Sequence, residues 1–421
     1  MEFPSNPKSP MLRQRGGALS TSKIPEELCH EILLRSPVKS VLKCKSVCKS
    51  WFFMISNPSF AKFHLQRNKT SNSSNNIRLL LGTGADLHSI SYDSLVSSLS
   101  SESEEIEDSA VIRMPYPFRL DISRVALFGS CDGLVFLWLL DNADCFCPPE
   151  NDVGYYTGCC GCRKDFLCIW NPATREYKKI PQSPDIDLHY SICICMNGVA
   201  YDGKNDDYKL VIGICCLKTD LTGQVQIFSL RSNSWLTIHT HYLFTYSNGP
   251  ECGVLVNGNL HWLAKGECGL CIVYLDNISD LPPFKEIQLP IVPKLEFITA
   301  GVLEEGCLCV LADNGDSGLA RVEVWEMQVY GVRESWIKRY AIANKTITTS
   351  FTNIGSSWKI MWSFRHGKIV FLDSFRAVLY DPKHGTAMEQ YLDNLADFKS
   401  EVDFIESLVS LDSGTYWGQN D

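Results

Sequence analysis

Five cysteines crowd one short stretch, DCFCPPENDVGYYTGCCGCRKDF (144–166): Cys145, Cys147, Cys159, Cys160 and Cys162. Four thiolates from such a stretch would hold a zinc ion tetrahedrally. The spacing, however, is C-x-C followed by C-C-x-C rather than two C-x2-C pairs. We therefore read 144–165 as an insertion loop with reduced thiols and expect no metal there. His239 and His241 would face one side of a strand as an available ligand pair, although surface histidines are far commoner than ligands. Ser101 and Ser103 precede acids in SLVSSLSSESEEIEDS (94–109), a Ser-rich acidic loop that phosphorylation could mark and that reads more simply as solvated surface. The chain has no G-x-S-x-G elbow, no H-E-x-x-H and no P-loop. No catalytic residue, no metal site and no cofactor is expected, so the chain does not read as an enzyme.

Bulk properties narrow the partners. At 421 residues there is room for one small and one large domain. A net charge of −9 argues against a general nucleic-acid binder. That charge is uneven: residues 23–64 carry seven Lys/Arg against three Glu, and the remainder carries the acidity. The first 22 residues are polar with Pro and Gly and lack a signal-like apolar core, and no run of 18 apolar residues exists. A cytoplasmic or nuclear location, with no membrane partner, is the expectation. The 19 cysteines are odd in number and mostly sit singly in apolar runs such as SICICM (191–196), where they act as small hydrophobes.

The elements that would position any site fall into two groups. Residues 1–22 are expected to be disordered, 23–66 helical, and RNKTSNSSNN (67–76) a flexible joint. In the helical part, Pro25 opens a helix with Glu26 and Glu27 in its first turn and Leu28, Ile32 and Leu33 on its apolar face. Ser36 caps and Pro37 starts a second helix, whose apolar residues run from Val38 to Ile55 with a break near Ser50. Asn57-Pro58 starts a third, with Phe60 and Phe63. Three short helices in so short a stretch are marginal alone, and their apolar content exceeds what their own core consumes. A partner is expected.

From 77 to 412 the pattern is short β-branched and aromatic runs bounded by Gly, Asn and Asp, followed by a tail at 413–421. A degenerate repeat emerges, with units roughly 50 to 70 residues apart. Each opens on a turn and an apolar strand: CDGLVFLW (131), NGVAYD (197), NGNLHWLA (257), EGCLCVLAD (305) and HGKIVFLD (366). Each continues into a strand–turn–strand such as VQIFSLRSNSWLTI (225) or VEVWEMQVYGVRESWIKRY (322). A sixth unit would have to come from 77–128. The expected fold is a small all-α module followed by a large all-β domain of propeller-like, kelch-like repeats.

Residues 23–64 resemble an F-box. Ile24, Pro25, Glu27, Leu28, Ile32, Leu33, Arg35, Pro37, Lys39, Ser40, Val47, Cys48, Lys49, Trp51, Ile55, Pro58 and Phe60 fall in that family's register. The departures are Ile24 for Leu, Ser36 for Leu, and Lys43-Cys44 for Arg-Phe. Further on, CDGL (131–134), WNPATREYKKIP (170–181), YDGKNDDYKLV (201–211), WEM (325–327), YDPKHGTAMEQ (380–390) and ESLVSL (406–411) are similar to the F-box-associated domain of the plant family that includes the S-locus F-box proteins. The resemblance implies a non-catalytic substrate adaptor of a Skp–cullin–F-box ubiquitin ligase. Its F-box would bind a Skp-type adaptor and, through it, cullin, and its β-domain a protein target marked for degradation, in self-incompatibility or immune regulation. It also implies that Pro25, Leu28, Ile32, Leu33, Pro37, Val38 and Val41 lie at or near the adaptor interface, whereas Val47 and Trp51 pack the module's core. A scaffold outside a ligase and a ligand-binding β-propeller remain the alternatives, and the sequence does not select the target.

Overall fold

The computed structural model describes residues 25–70, 77–99, 111–115, 122–141, 165–183, 192–216, 223–244, 251–276, 284–292, 295–303, 306–314, 321–343, 358–363, 367–372, 376–391 and 398–411. The expectations for 1–22, for the cysteine-rich loop 144–165 and for the 413–421 tail lie essentially outside these residues.

Four helices open the chain, not three: α1 (Glu26–Leu34), α2 (Val38–Cys44), α3 (Lys49–Ser56) and α4 (Pro58–Thr70). The run expected as one helix from Val38 to Ile55 is broken at 45–48, where Cys48 is extended at φ −160°. That turn folds α3 back so that Val41 and Ile55 share one core. Ser36 does not cap α2; its hydroxyl donates back to the Ile32 carbonyl at 2.8 Å, closing the end of α1. The expected joint at 67–76 is shorter than the composition suggests, because α4 continues to Thr70. Asn57 helps start that helix by accepting the Ser59 amide at 2.8 Å.

Six antiparallel sheets follow, arranged as the blades of a propeller. The first holds β1 (Ile77–Thr83), β2 (Asp86–Ser91) and β3 (Val111–Met114). Between β2 and β3 runs α5 (Tyr92–Leu99), so the expected acidic loop begins as a helix that buries Tyr92, Leu95 and Leu99. Its i, i+3, i+7 spacing outweighs the Ser content; residues 100–109 lie outside the described residues. The second blade is β4 (Ile122–Cys131), β5 (Leu134–Asp141), β6 (Asp165–Trp170) and β7 (Tyr177–Lys179). The third is β8 (Ile192–Asp202), β9 (Asp207–Cys216), β10 (Gln224–Ser229) and β11 (Ser234–His239).

In the fourth blade, β12 (Leu243–Phe244) and β14 (Val254–Val256) both pair with β15 (Asn259–Gly266), which leads to β16 (Gly269–Leu275) and β17 (Phe284–Gln288). Between them β13 (Glu251–Cys252) adds a short parallel pairing to β8. The fifth blade is β18 (Leu295–Val302), β19 (Leu308–Asn314), β20 (Arg321–Met327) and β21 (Trp336–Ala343). The sixth is β22 (Lys359–Ser363), β23 (Ile369–Leu372), β24 (Arg376–Asp381) and β25 (Thr386–Tyr391). The chain then returns to the first blade: β26 (Phe398–Ile405) pairs with β1 from Ile77↔Ile405 to Thr83↔Phe398. Closure by the last strand removes the open edges that a linear array of sheets would leave.

The sixth unit is therefore assembled from both ends of the β-domain, and residues 122–131 belong to the next blade. One repeat opener also changes place. Asn197-Gly198 is not a turn but the middle of β8, and the equivalent turn lies at 203–206. Gly198 sits there because Leu260 and Trp262 of the neighbouring blade would meet a Cβ at 3.0 Å.

Tryptophans stitch blade to blade. Trp262 donates its indole N–H to the Asn197 carbonyl at 2.8 Å, Trp235 to Pro181 at 2.8 Å, and Trp336 to Gln288 at 2.9 Å. Each ring, buried in Trp262 and Trp336 and half-buried in Trp235, thus finds a partner for its polar edge on the preceding blade. His261 makes a similar tie: it is fully buried, meets the Asn259 carbonyl at 3.0 Å and the Tyr330 hydroxyl at 2.7 Å, and stacks on Tyr274.

Burial lowers the His261 pKa from 6.5 to about 4. The unfolded chain therefore takes up a proton that the folded chain refuses. The contribution of His261 to stability is fully present above about pH 6.5 and falls as the pH drops toward 4, by about 2 kcal/mol already at pH 5. Urea midpoints at pH 7 and pH 5 measure this. His261→Gln should flatten the slope, and an unchanged slope would refute the assignment.

Candidate protein-docking surfaces

The helical module is built around Leu33, Leu34, Val38, Val41, Ile55, Phe60 and Ala61, all buried. His64 lies inside as well, with its Nε2 2.9 Å from the Ser36 carbonyl, and burial lowers its pKa. Two further members of this core come from the propeller, Leu408 and the half-buried Ala173.

The seven residues expected at a docking surface divide. Pro25, Leu28, Ile32 and Pro37 are exposed, Leu28 by 54% and Ile32 by 53%. Leu33, Val38 and Val41 are at most 1% exposed and serve the module's own packing. The reason is helical phase: Leu28 and Ile32 are one turn apart on one side of α1, and Leu33 and Leu34 turn to the other. Trp51 packs partly against the core as expected, but Val47, expected there too, is 63% exposed in the turn before α3.

The sequence reading missed Phe52 and Phe53, exposed by 48% and 70%. The signal was present: three consecutive aromatics on an eight-residue helix cannot all face one core. Ser50 donates to Glu26 at 3.2 Å and ties the start of α3 to the start of α1. Phe53 lies one turn beyond Ser50. The module thus leaves Leu28, Ile32, Val47, Phe52 and Phe53 exposed. Such apolar anchors suit a protein partner.

The module sits on one face of the propeller. Leu65 of α4 enters the core formed with Phe128, Cys131 and Tyr208. Lys69 forms an ion pair with Asp132, which also accepts the Tyr208 hydroxyl at 3.1 Å. After β26, residues 406–411 run between propeller and helices. Asn171 donates to the carbonyls of Ser407 and Val409 at 3.2 and 2.7 Å, and Glu176 accepts the Leu411 amide at 2.7 Å. Lys39 of α2 reaches Glu406 at 3.3 Å.

Gly133 makes this close approach possible. Its φ is +85°, and a Cβ there would lie 2.4 Å from the Ser407 hydroxyl and 2.6 Å from the Ile405 carbonyl. Gly133→Ala combines backbone strain with a backbone clash and should cost about 2 kcal/mol or more. A thermal melt unchanged from wild type would contradict this.

Because β4 and β26 end at the helical side, the antiparallel order sends other connections to the opposite face. The strand ends that bracket 142–164, 217–223, 315–320 and 373–375 all lie there, as do those bracketing the crossovers between blades. On the helical side the turns at 132–133, 203–206 and 257–258 are short. A central cavity of about 400 Å³ runs between the inner strands, lined by Ser130, Thr299, Lys359, Glu401 and Asp403 among others. Lys359 pairs with Glu401 at 2.6 Å, and burial raises the Asp403 pKa.

Among the described residues no three His, Cys, Asp or Glu side chains gather as metal ligands. β11 ends at His239, so His239 and His241 do not share a strand. The five cysteines of 144–166 lie outside the described residues. Burial pushes the Cys271 thiol up to about 11 and Cys168 to about 12, and raises Cys131 and Cys309 further, which keeps all four protonated and inert.

Comparison with known proteins matches this geometry. Residues 158–374 match the family described as F-box associated beta propeller domain, and residues 21–66 the family described as F-box-like. F-box protein CPR1 of Arabidopsis thaliana is 26% identical over 385 residues, covering 83% of this chain and 82% of its own. F-box/kelch-repeat protein At3g23880 of the same plant is 26% identical over 360 residues, covering 84% and 88% respectively.

Proposed function

The chain belongs to the F-box-associated beta propeller family and carries an F-box-like module ahead of its propeller; from that premise we propose that it selects one protein target for a Skp–cullin–F-box ubiquitin ligase. Its general role is that of a non-catalytic substrate adaptor. In this reading the helical module docks a Skp-type adaptor and, through it, cullin. The propeller holds the target for polyubiquitination and degradation, in the cytoplasm or nucleus, with self-incompatibility and immune regulation as the candidate processes.

One observation carries the reading: α1 and α3 leave Leu28, Ile32, Phe52 and Phe53 exposed although the core beneath them is already filled by helical and propeller residues together. Surplus apolar side chains at helical spacing are what a partner helix needs. We place the target on the face opposite the helices, where the connections of 142–164 and 217–223 leave the sheets, because loops on a rigid scaffold carry specificity. Mixing the purified full chain with a Skp-type adaptor and cullin tests it. A ternary complex that survives size-exclusion chromatography is expected, and elution of the chain apart from an intact adaptor–cullin pair would refute the docking role.

A further inference from the structure

The inner strands of all six blades wall the channel of about 400 Å³ at the axis of the propeller. Five charged side chains line it: Lys69, Asp132, Lys359, Glu401 and Asp403. Lys69 pairs with Asp132, and Lys359 with Glu401 at 2.6 Å. Asp403 has no cation and no side-chain donor among the described residues. Two cations against three carboxylates leave one negative charge uncompensated, and it lies at Asp403.

The ring holds Asp403 in one position. β26 pairs with β1 at Leu79↔Asp403, and from β4 the Ser130 hydroxyl donates to the Asp403 carbonyl. Val402 and Phe404 turn into the core between the first two blades, so Glu401 and Asp403 take the other side of the strand. The Asp403 side chain is open, but onto the channel. The strands around that channel desolvate its carboxylate and raise its pKa, and the contact that favours its charged form is with its own backbone amide.

An enclosed carboxylate without a partner is costly until something supplies the opposite charge. The strands also supply neutral acceptors beside it. β4, β18, β22 and β26 stand at the inner edges of their sheets, so alternate carbonyls along them face the channel. An ammonium donates three N–H bonds, which one charged and two neutral acceptors satisfy. Val199, Ile360 and Met361 give the same space an apolar wall, as small-molecule sites require. An anion would meet a net negative charge, with both lysines already engaged.

We propose that the central channel binds a small organic monocation, an alkyl- or arylammonium whose charge rests on Asp403 and whose carbon body lies on the apolar wall. The site is a property of the ring and does not rest on the ligase role. Because its occupant touches several blades at once, binding should stabilise the closed propeller by mass action.

The full chain is titrated with n-butylammonium and benzylammonium, and with butanol, benzyl alcohol and benzoate as neutral and anionic counterparts. Ligand-observed NMR reads affinity, and a thermal melt reads stabilisation. At least one ammonium should raise the melting temperature and bind about tenfold or more tighter than its alcohol, with benzoate not binding. Asp403→Asn keeps the shape and removes the charge; it should weaken the ammonium about tenfold or more without lowering the melting temperature of the empty chain. Asp403→Glu restores the charge and should hold affinity within about fivefold. Asp276→Asn, which removes a carboxylate paired with Lys285 outside the channel, should leave it within about twofold. The site is refuted if neither ammonium binds, if the alcohols bind equally well, or if Asp403→Asn and Asp403→Glu lose affinity alike. A glycine–lysine–glycine tripeptide blocked at both ends that binds where the free amines do not would overturn the small-molecule assignment in favour of a protein side chain.

Discussion

A chain carrying Leu28→Asp and Ile32→Asp is expected to lose adaptor capture while melting at the wild-type temperature. Both side chains are more than half exposed and contribute little to the module's own core. Polar replacements at such positions change folding stability by about 0.5 kcal/mol or less. In a docked complex the same two positions would be central and dry. Hot-spot residues of that kind cost about 2 kcal/mol each, so the pair should cost roughly 4 kcal/mol, about a thousandfold in affinity. Burying two carboxylates against an apolar partner adds to the loss. Isothermal titration of the adaptor into wild-type and variant chains reads the effect directly. Binding retained within about tenfold would move the docking surface elsewhere, with Phe52 and Phe53 the next positions to change.

Removing residues 398–421 should abolish cooperative unfolding of the whole propeller. The deletion takes away β26, whose full-length pairing with β1 closes the ring, and with it Val402 and Phe404 from the core that joins the first two blades. Loss of a buried Phe alone costs about 3–5 kcal/mol, comparable to much of a domain's net stability. The cut also exposes the backbone edge of β1 along the channel. Near-ultraviolet circular dichroism should show lost tertiary signal, and a synthetic peptide of residues 398–411 added in trans should restore part of it. A truncated chain that melts in one sharp transition would show that the ring does not depend on its last strand.

The hairpins were legible because their signals are local. Asn, Asp and Gly between β-branched runs marked β6–β7, β10–β11, β20–β21 and β24–β25, and each lies where the repeats placed it. The error at Asn197-Gly198 came from treating a glycine as a turn when a neighbouring tryptophan required it. Closure was not legible, since Ile77 and Ile405 pair across the length of the domain and no local pattern announces such a partner. Which helical residues stay exposed was half legible. Periodicity identified an amphipathic α1 but could not say that Leu33, Val38 and Val41 turn inward, because their companion Leu408 lies outside the module.

The placement of Leu408 also sets a schedule during synthesis. At about 5–20 residues per second, a ribosome that has finished α4 needs roughly 20–70 s to reach residue 408. Throughout that interval Leu33, Val38 and Val41 lack the side chain that completes their core, and Leu28 and Phe53 face the cell. Until its final strand emerges, the core of the helical module stays incomplete.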